Sequence, residues 1–274
     1  MIINLKKEQI VINIDFKTDP DIMARVLISK SMMPRDYANY LWNKYQTSYS
    51  RLIWDLISKE INPDIIAELR EQDFFKSLSV EAEKNLERIQ KSWIENRDKI
   101  NEFLKGIFKK DFTLDMTAII VAPSMNTGVN IHDDQFVWGH ENGVKDEIYD
   151  LVYLVHESLH SYFENGELTH SIIENIADVE LAKFLSNSDR AYECSDYLKM
   201  THIKVAPFWY LYLDKPIAEI KKENKNIGIT YDINAFEKYR SKLRVMNLDE
   251  FVAFLDRLNL DDTLEVSYLV TLKE

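Results

Sequence analysis

Cysteine is almost missing from this sequence: Cys194 stands alone, so no internal disulfide can form and a disulfide-stapled scaffold is excluded. Glycine and proline are scarce too, 6 of each in 274 residues, which leaves little turn chemistry for an all-β sandwich or barrel. No apolar run approaches the roughly 18 residues of a membrane-spanning helix. Met1 to Phe16 alternates apolar and polar residues instead of carrying the continuous apolar core of a signal peptide. A cytoplasmic protein without a membrane partner is the expectation. Basic charge is outweighed, with 34 Lys and Arg against 46 Asp and Glu and a formal net charge of -12, which disfavours nucleic acid and anionic lipid as partners. The basic residues Lys221 and Lys222 are followed at once by Glu223 and Asn224 and read as a solvated helix face.

What remains is rich in core-forming residues. An apolar share of 46% with 13 Phe, 14 Tyr and 5 Trp supplies enough burial to offset the entropy of ordering a chain. The expected fold is α+β and mainly α-helical, with a small β-sheet beside a helix pair and a helical N-terminal lobe. The organisation reads either as two lobes, 1–110 and 111–274, or as one continuous domain.

Ile10, Ile12, Ile14 and Phe16 recur at period 2 and predict a strand ending near Asp19-Pro20. Helical spacing follows to about Lys110, with Trp42, Tyr45, Tyr49, Leu52 and Ile53 on one face. A boundary is expected at Asn62-Pro63, and a second break around Ser77 to Ser79. Met116 to Val121 is rich in β-branched residues, and Val129 to Trp138 predicts a further strand after Gly128. Asp146 to Tyr162 then carries the apolar stripe of a helix, and Glu164 to Thr169 links it to a second helix over Ser171 to Leu185. Later helices are expected at about 201–225, 234–245 and 248–258, and a strand at 264–272.

The chemistry concentrates in His156-Glu157-Ser158-Leu159-His160. Residues four apart share a helix face, so both imidazoles can address one zinc ion. Glu157 stands beside such an ion instead of pointing at it, where it can take a proton from water as general base. A catalytic zinc needs a third protein donor. The metzincin pattern would place Gly at 163 and His at 166, where this chain has Phe163 and Gly166. The following segment offers Glu174 as a ligand, with Asp178 four residues on as the carboxylate that orients a ligating histidine. Glu174 has a second explanation, because Ser171-Ile172-Ile173-Glu174 also fits a helix capping box. His170, read as a loop residue ahead of that helix, is the leading rival donor, and Glu167, Asp178 and Glu180 are others.

From His156 to Asp178 the sequence resembles the gluzincin metallopeptidases, whose zinc helix is followed by a helix bearing a glutamate ligand and, four residues later, an acidic supporting residue. The resemblance implies zinc ligands at His156, His160 and Glu174, the base at Glu157 and support from Asp178. The stretch 161–173 is short for that family, so the connection must be tight. A second resemblance, to metallopeptidases that cleave repressor proteins, shares the two-histidine motif but does not align cleanly at Ala177-Asp178-Val179. Gluzincins also place an exposed strand beside the metal, and Gly128 to Trp138 is situated in the chain to do this; His132 within it is not assigned a role.

The expected function is therefore a zinc-dependent hydrolase, a metallopeptidase acting on a peptide or protein. Candidates for stabilising the oxyanion are His202, Tyr210, Tyr212 and Tyr231. The alternative is a non-catalytic metal-binding or protein-interaction module that keeps the scaffold's ligands.

Overall fold

The computed structural model describes residues 10–29, 32–45, 63–122, 128–132, 134–139, 146–192, 198–216, 229–231, 237–258 and 270–272. The chain divides into two compact units, one formed by 12–97 and 114–162, the other by 1–11, 98–113 and 163–274. The fold is α+β and mainly helical, with one small four-stranded mixed sheet. Among the described residues no helix is long and apolar enough to cross a membrane.

Strand β1 (Ile10–Thr18), which enters the unit formed by 12–97 and 114–162 at Ile12, owes its alternating burial to its period-2 isoleucines. Asp19 ends the strand and starts α1 (Pro20–Ser29): its carboxylate accepts from the backbone N–H groups of Asp21 and Ile22. Then come α2 (Arg35–Tyr45), α3 (Pro63–Arg70) and the long α4 (Asp73–Phe108), whose residues from 98 on belong to the other unit. Helix α3 starts at the expected proline, where a missing N–H costs nothing. The expected break at Ser77 to Ser79 does not occur. Their hydroxyls donate to the carbonyls of Asp73 and Phe75, four residues back, and so are satisfied inside a continuous helix.

The sheet is completed by β2 (Phe112–Ile120), β3 (Val129–His132) and β4 (Gln135–Trp138), in the order β1-β2-β4-β3. The single strand expected over Val129 to Trp138 is thus two, turning at Asp134 and pairing antiparallel, Val129 with Val137 and Asn130 with Phe136. Strand β4 pairs parallel with β2 on its other side, which leaves β3 at the sheet edge among the described residues. Leu27, Leu41, Leu69, Ile119, Val121 and Val137 are among the residues packing the core between sheet and helices. Helix α5 (Glu147–His160) is capped by Asp146, whose side chain accepts from Ile148 N–H. It is anchored by Asp150, fully buried, which accepts from Arg88 at 2.7 Å and from the indole N–H of Trp138 at 3.1 Å.

In the other unit, α6 (Glu167–Glu174) passes into a π-helical segment (Asn175–Leu181) and then α7 (Ala182–Ser186). The expected helix over Ser171 to Leu185 therefore starts earlier and is not uniform. His170 lies inside α6, and Ser171 is an interior residue, so the capping-box reading of Glu174 fails. The i→i−5 winding is visible where Ala182 N–H reaches Ala177 O. The amide of Asn175 donates to Ser171 O at 2.8 Å where α winding gives way to π. Next in the chain are α8 (Lys199–Tyr212), β5 (Ile229–Tyr231), α9 (Arg240–Leu243), α10 (Leu248–Leu258) and β6 (Val270–Leu272), the last pairing antiparallel with β5. Trp209, Tyr212 and Phe251 stack in this core, Tyr212 donates its hydroxyl to Ile107 O, and Lys109 donates to the carbonyls of Tyr212 and Arg244. Burial pushes the Lys109 ammonium below its ordinary pKa. Tyr49, Leu52, Ile53, Cys194, Lys221 and Lys222, with the outer parts of the helices expected at 201–225 and 234–245 and of the strand at 264–272, lie outside the described residues.

Candidate metal centre

Helix α5 puts His156 and His160 one turn apart with their Nε2 atoms 3.2 Å from each other. His156 and Glu157 are buried and His160 is half-buried. The rings continue an aromatic ladder: Trp138 stacks on Tyr153 at 5.2 Å, Tyr153 on His156 at 5.7 Å, and His156 lies 5.1 Å from His160. Asp150 fixes the Trp138 end of that ladder, so Arg88, Asp150, Trp138, Tyr153 and His156 form one contiguous support for the first imidazole.

A simple length decides whether this pair suits zinc. Two imidazole nitrogens, each about 2.0–2.1 Å from a tetrahedral ion, stand roughly 3.3 Å apart. The 3.2 Å spacing matches that span. A neutral pair sharing one hydrogen would fit the same distance, with one ring as donor and the other as acceptor.

Strand β3 meets α5 at Glu157. The Asn130 amide donates to Glu157 O at 3.3 Å and to Ser161 Oγ at 3.1 Å. The backbone at Gly128 comes so close that a Cβ there would lie 2.3 Å from Glu157 Oε1.

His170 lies inside α6 instead of ahead of it, one turn from Glu174, Nε2 to Oε1 3.8 Å.

No family model, curated protein or solved structure matches this chain.

Glu174 is buried at the last turn of α6 and accepts from His202 of α8 through its second oxygen. Asn175 supplies the other contact of that imidazole, its Nδ2 standing 3.2 Å from His202 Nδ1. The amide orientation follows from Ser171 O, which can only accept, so Asn175 Nδ2 carries both hydrogens toward Ser171 O and His202 Nδ1. Nδ1 of His202 is then an acceptor, and Nε2–H is left to donate to Glu174. His202, an oxyanion candidate from the sequence, has a carboxylate partner in Glu174.

Asp178 is buried in the π segment, and its backbone carbonyl accepts from Tyr192 N–H. Glu180 pairs with Lys215 at 2.8 Å, and Glu167 is an exposed first-turn residue of α6. Tyr212 is buried and committed to Ile107, Tyr210 lies under the Lys215 ammonium, and the side chains of Tyr231 and His132 fall outside the described residues. Gly128, Asn130 and Asn175 were not singled out as site residues in the sequence, where the only hint was their proximity to the strand signal or to Glu174.

Proposed function

We propose that the chain is a zinc-dependent hydrolase, a metallopeptidase of gluzincin type, with His156 and His160 as zinc donors and Glu157 as general base. The observation that carries the reading is the 3.2 Å separation of the two Nε2 atoms, with Glu157 buried next to His156. The third donor is Glu174, as the resemblance implied, or His170 one turn before it on α6, and Asp178 is proposed as a further acidic support.

Zinc, when bound, supplies a Lewis acid that makes water more acidic and a carbonyl more electrophilic. Glu157 takes the proton of the attacking water and returns it to the leaving nitrogen. Strand β3 meets Glu157 through Asn130, and Gly128 stands just ahead of it; among the described residues β3 pairs on one side only, leaving an edge to which an extended peptide adds. That placement supports a peptide or protein substrate.

Replacing Glu157 with Gln tests the assignment against a mixture of unstructured peptides. Zinc binding is expected to persist while hydrolysis falls by roughly 10²–10⁴-fold. Equal hydrolysis by both proteins would remove Glu157 from the mechanism. Tight zinc binding by a wild-type chain that cleaves nothing would favour the non-catalytic metal-binding reading.

A further inference from the structure

We propose that Gly128 is the positioning residue of Glu157: by lacking a side chain, it leaves the volume in which the Glu157 carboxyl group stands. The inference rests on the reading of Glu157 as the base, and its steric part stands on geometry alone. A Cβ at position 128 would lie 2.3 Å from Oε1, 2.5 Å from Cδ and 2.6 Å from Cγ of Glu157, and these are its three nearest heavy atoms. Carbon contacts settle at about 3.5–4.0 Å, so the overlap exceeds anything a small shift absorbs. Because Cγ is included, rotating the carboxylate about its last bond does not relieve it; the whole side chain has to leave.

The backbone does not demand glycine here, since Gly128 does not adopt a left-handed φ. Nor is the strand free to retreat. Asn130, two residues on, ties β3 to α5 through Glu157 O and Ser161 Oγ. Glu157 is itself buried, which limits the places it could move to. Two other glycines show no such contact: a Cβ at Gly106 meets nothing within 4 Å, and one at Gly166 meets Thr169 Oγ1 at 3.4 Å. Of these three glycines, only Gly128 has its missing side chain matched to the proposed base. An alanine there keeps the histidines on α5 but displaces Glu157, separating metal binding from proton transfer.

The test is a thermodynamic cycle of wild type, Gly128→Ala, Glu157→Ala and the double variant, with Gly106→Ala as control for the generic effect of replacing glycine. Each protein is melted without metal. Each is then loaded with cobalt(II), whose visible absorption reports the ligand field that zinc hides. Gly128→Ala is expected to lower the melting temperature in wild type and to lose that effect in the Glu157→Ala background. The cobalt spectrum of Gly128→Ala should move toward that of Glu157→Ala while cobalt affinity is retained.

The same drop in both backgrounds would overturn the proposal, as would an unfolded double variant, because the glycine would then be needed for reasons other than Glu157. A cobalt spectrum of Gly128→Ala identical to wild type would also overturn it. If wild type binds neither cobalt nor zinc, the metal reading falls, and the melting cycle by itself still decides whether position 128 controls Glu157.

Discussion

His156 and His160 meet across one turn of a regular α-helix, whereas Glu174 lies at the junction of α and π winding and meets a histidine brought from α8. The two clusters use the same residue types and are built by opposite means. The first needs only helical periodicity plus an anchored helix, and Asp150 provides the anchor. The second needs an irregular backbone, an asparagine that fixes a tautomer, and a partner 28 positions away in sequence. Geometry set by local spacing survives changes elsewhere; geometry set by convergence depends on every member.

The contrast can be broken most forcefully at its anchor. Asp150→Ala strips Arg88 and the Trp138 indole of their acceptor and should cost about 3 kcal/mol in urea unfolding, near the lower end for a broken buried pair because Arg88 is one-third exposed. An unchanged midpoint would mean that α5 does not depend on Asp150. The converging cluster is probed at His202. Its replacement by Ala should weaken zinc binding roughly 10–100-fold if it orients a group that acts on the metal, and Asn175→Ala should act in the same direction with smaller effect. Wild-type zinc affinity in both variants would make the Glu174 cluster structural only. The comparison between His170→Ala and Glu174→Gln in the same titration separates the two third-donor candidates.

The smallest effect lies outside both clusters. Lys44 and Tyr45 each hold Glu68 Oε2 at 2.7 Å, and the Lys44 hydrogen bond, followed by that of Tyr45, pulls the Glu68 pKa from 4.5 down to about 2. A depressed carboxylate binds fewer protons in the folded state, so its stabilisation is complete above the ordinary value and is lost as pH falls from there toward about 2. Glu68→Gln should flatten that part of the acid melting profile by a modest amount, as expected for a partly solvated pair. A profile identical to wild type would remove the pair from the acid response.

How much of this was legible in the sequence follows the same division. Period-2 isoleucines gave β1, and the i,i+4 histidines gave the pair on α5, because both depend on repeats that a linear sequence displays. The two-strand nature of 129–138 was hidden, since its short turn at Asp134 lacks glycine and proline. Ser77 and Ser79 suggested a break because their hydroxyls compete with the backbone in general, yet here they bond back along the helix. His170 was misplaced for want of a start signal: α6 has Gly166 at its N-cap and no side-chain cap hydrogen bond. The closeness of Gly128 to Glu157 is a tertiary contact with no periodic trace at all.

Zinc binding at α5 is the claim on which the functional reading depends. Equilibrium dialysis of the metal-stripped wild type and of a His156→Ala/His160→Ala variant against zinc, with folding checked by circular dichroism, addresses it most directly. One tightly held zinc per wild-type chain is expected, and its loss from the folded variant. Zinc retained equally by the variant, or no zinc bound by the folded wild type, would contradict it.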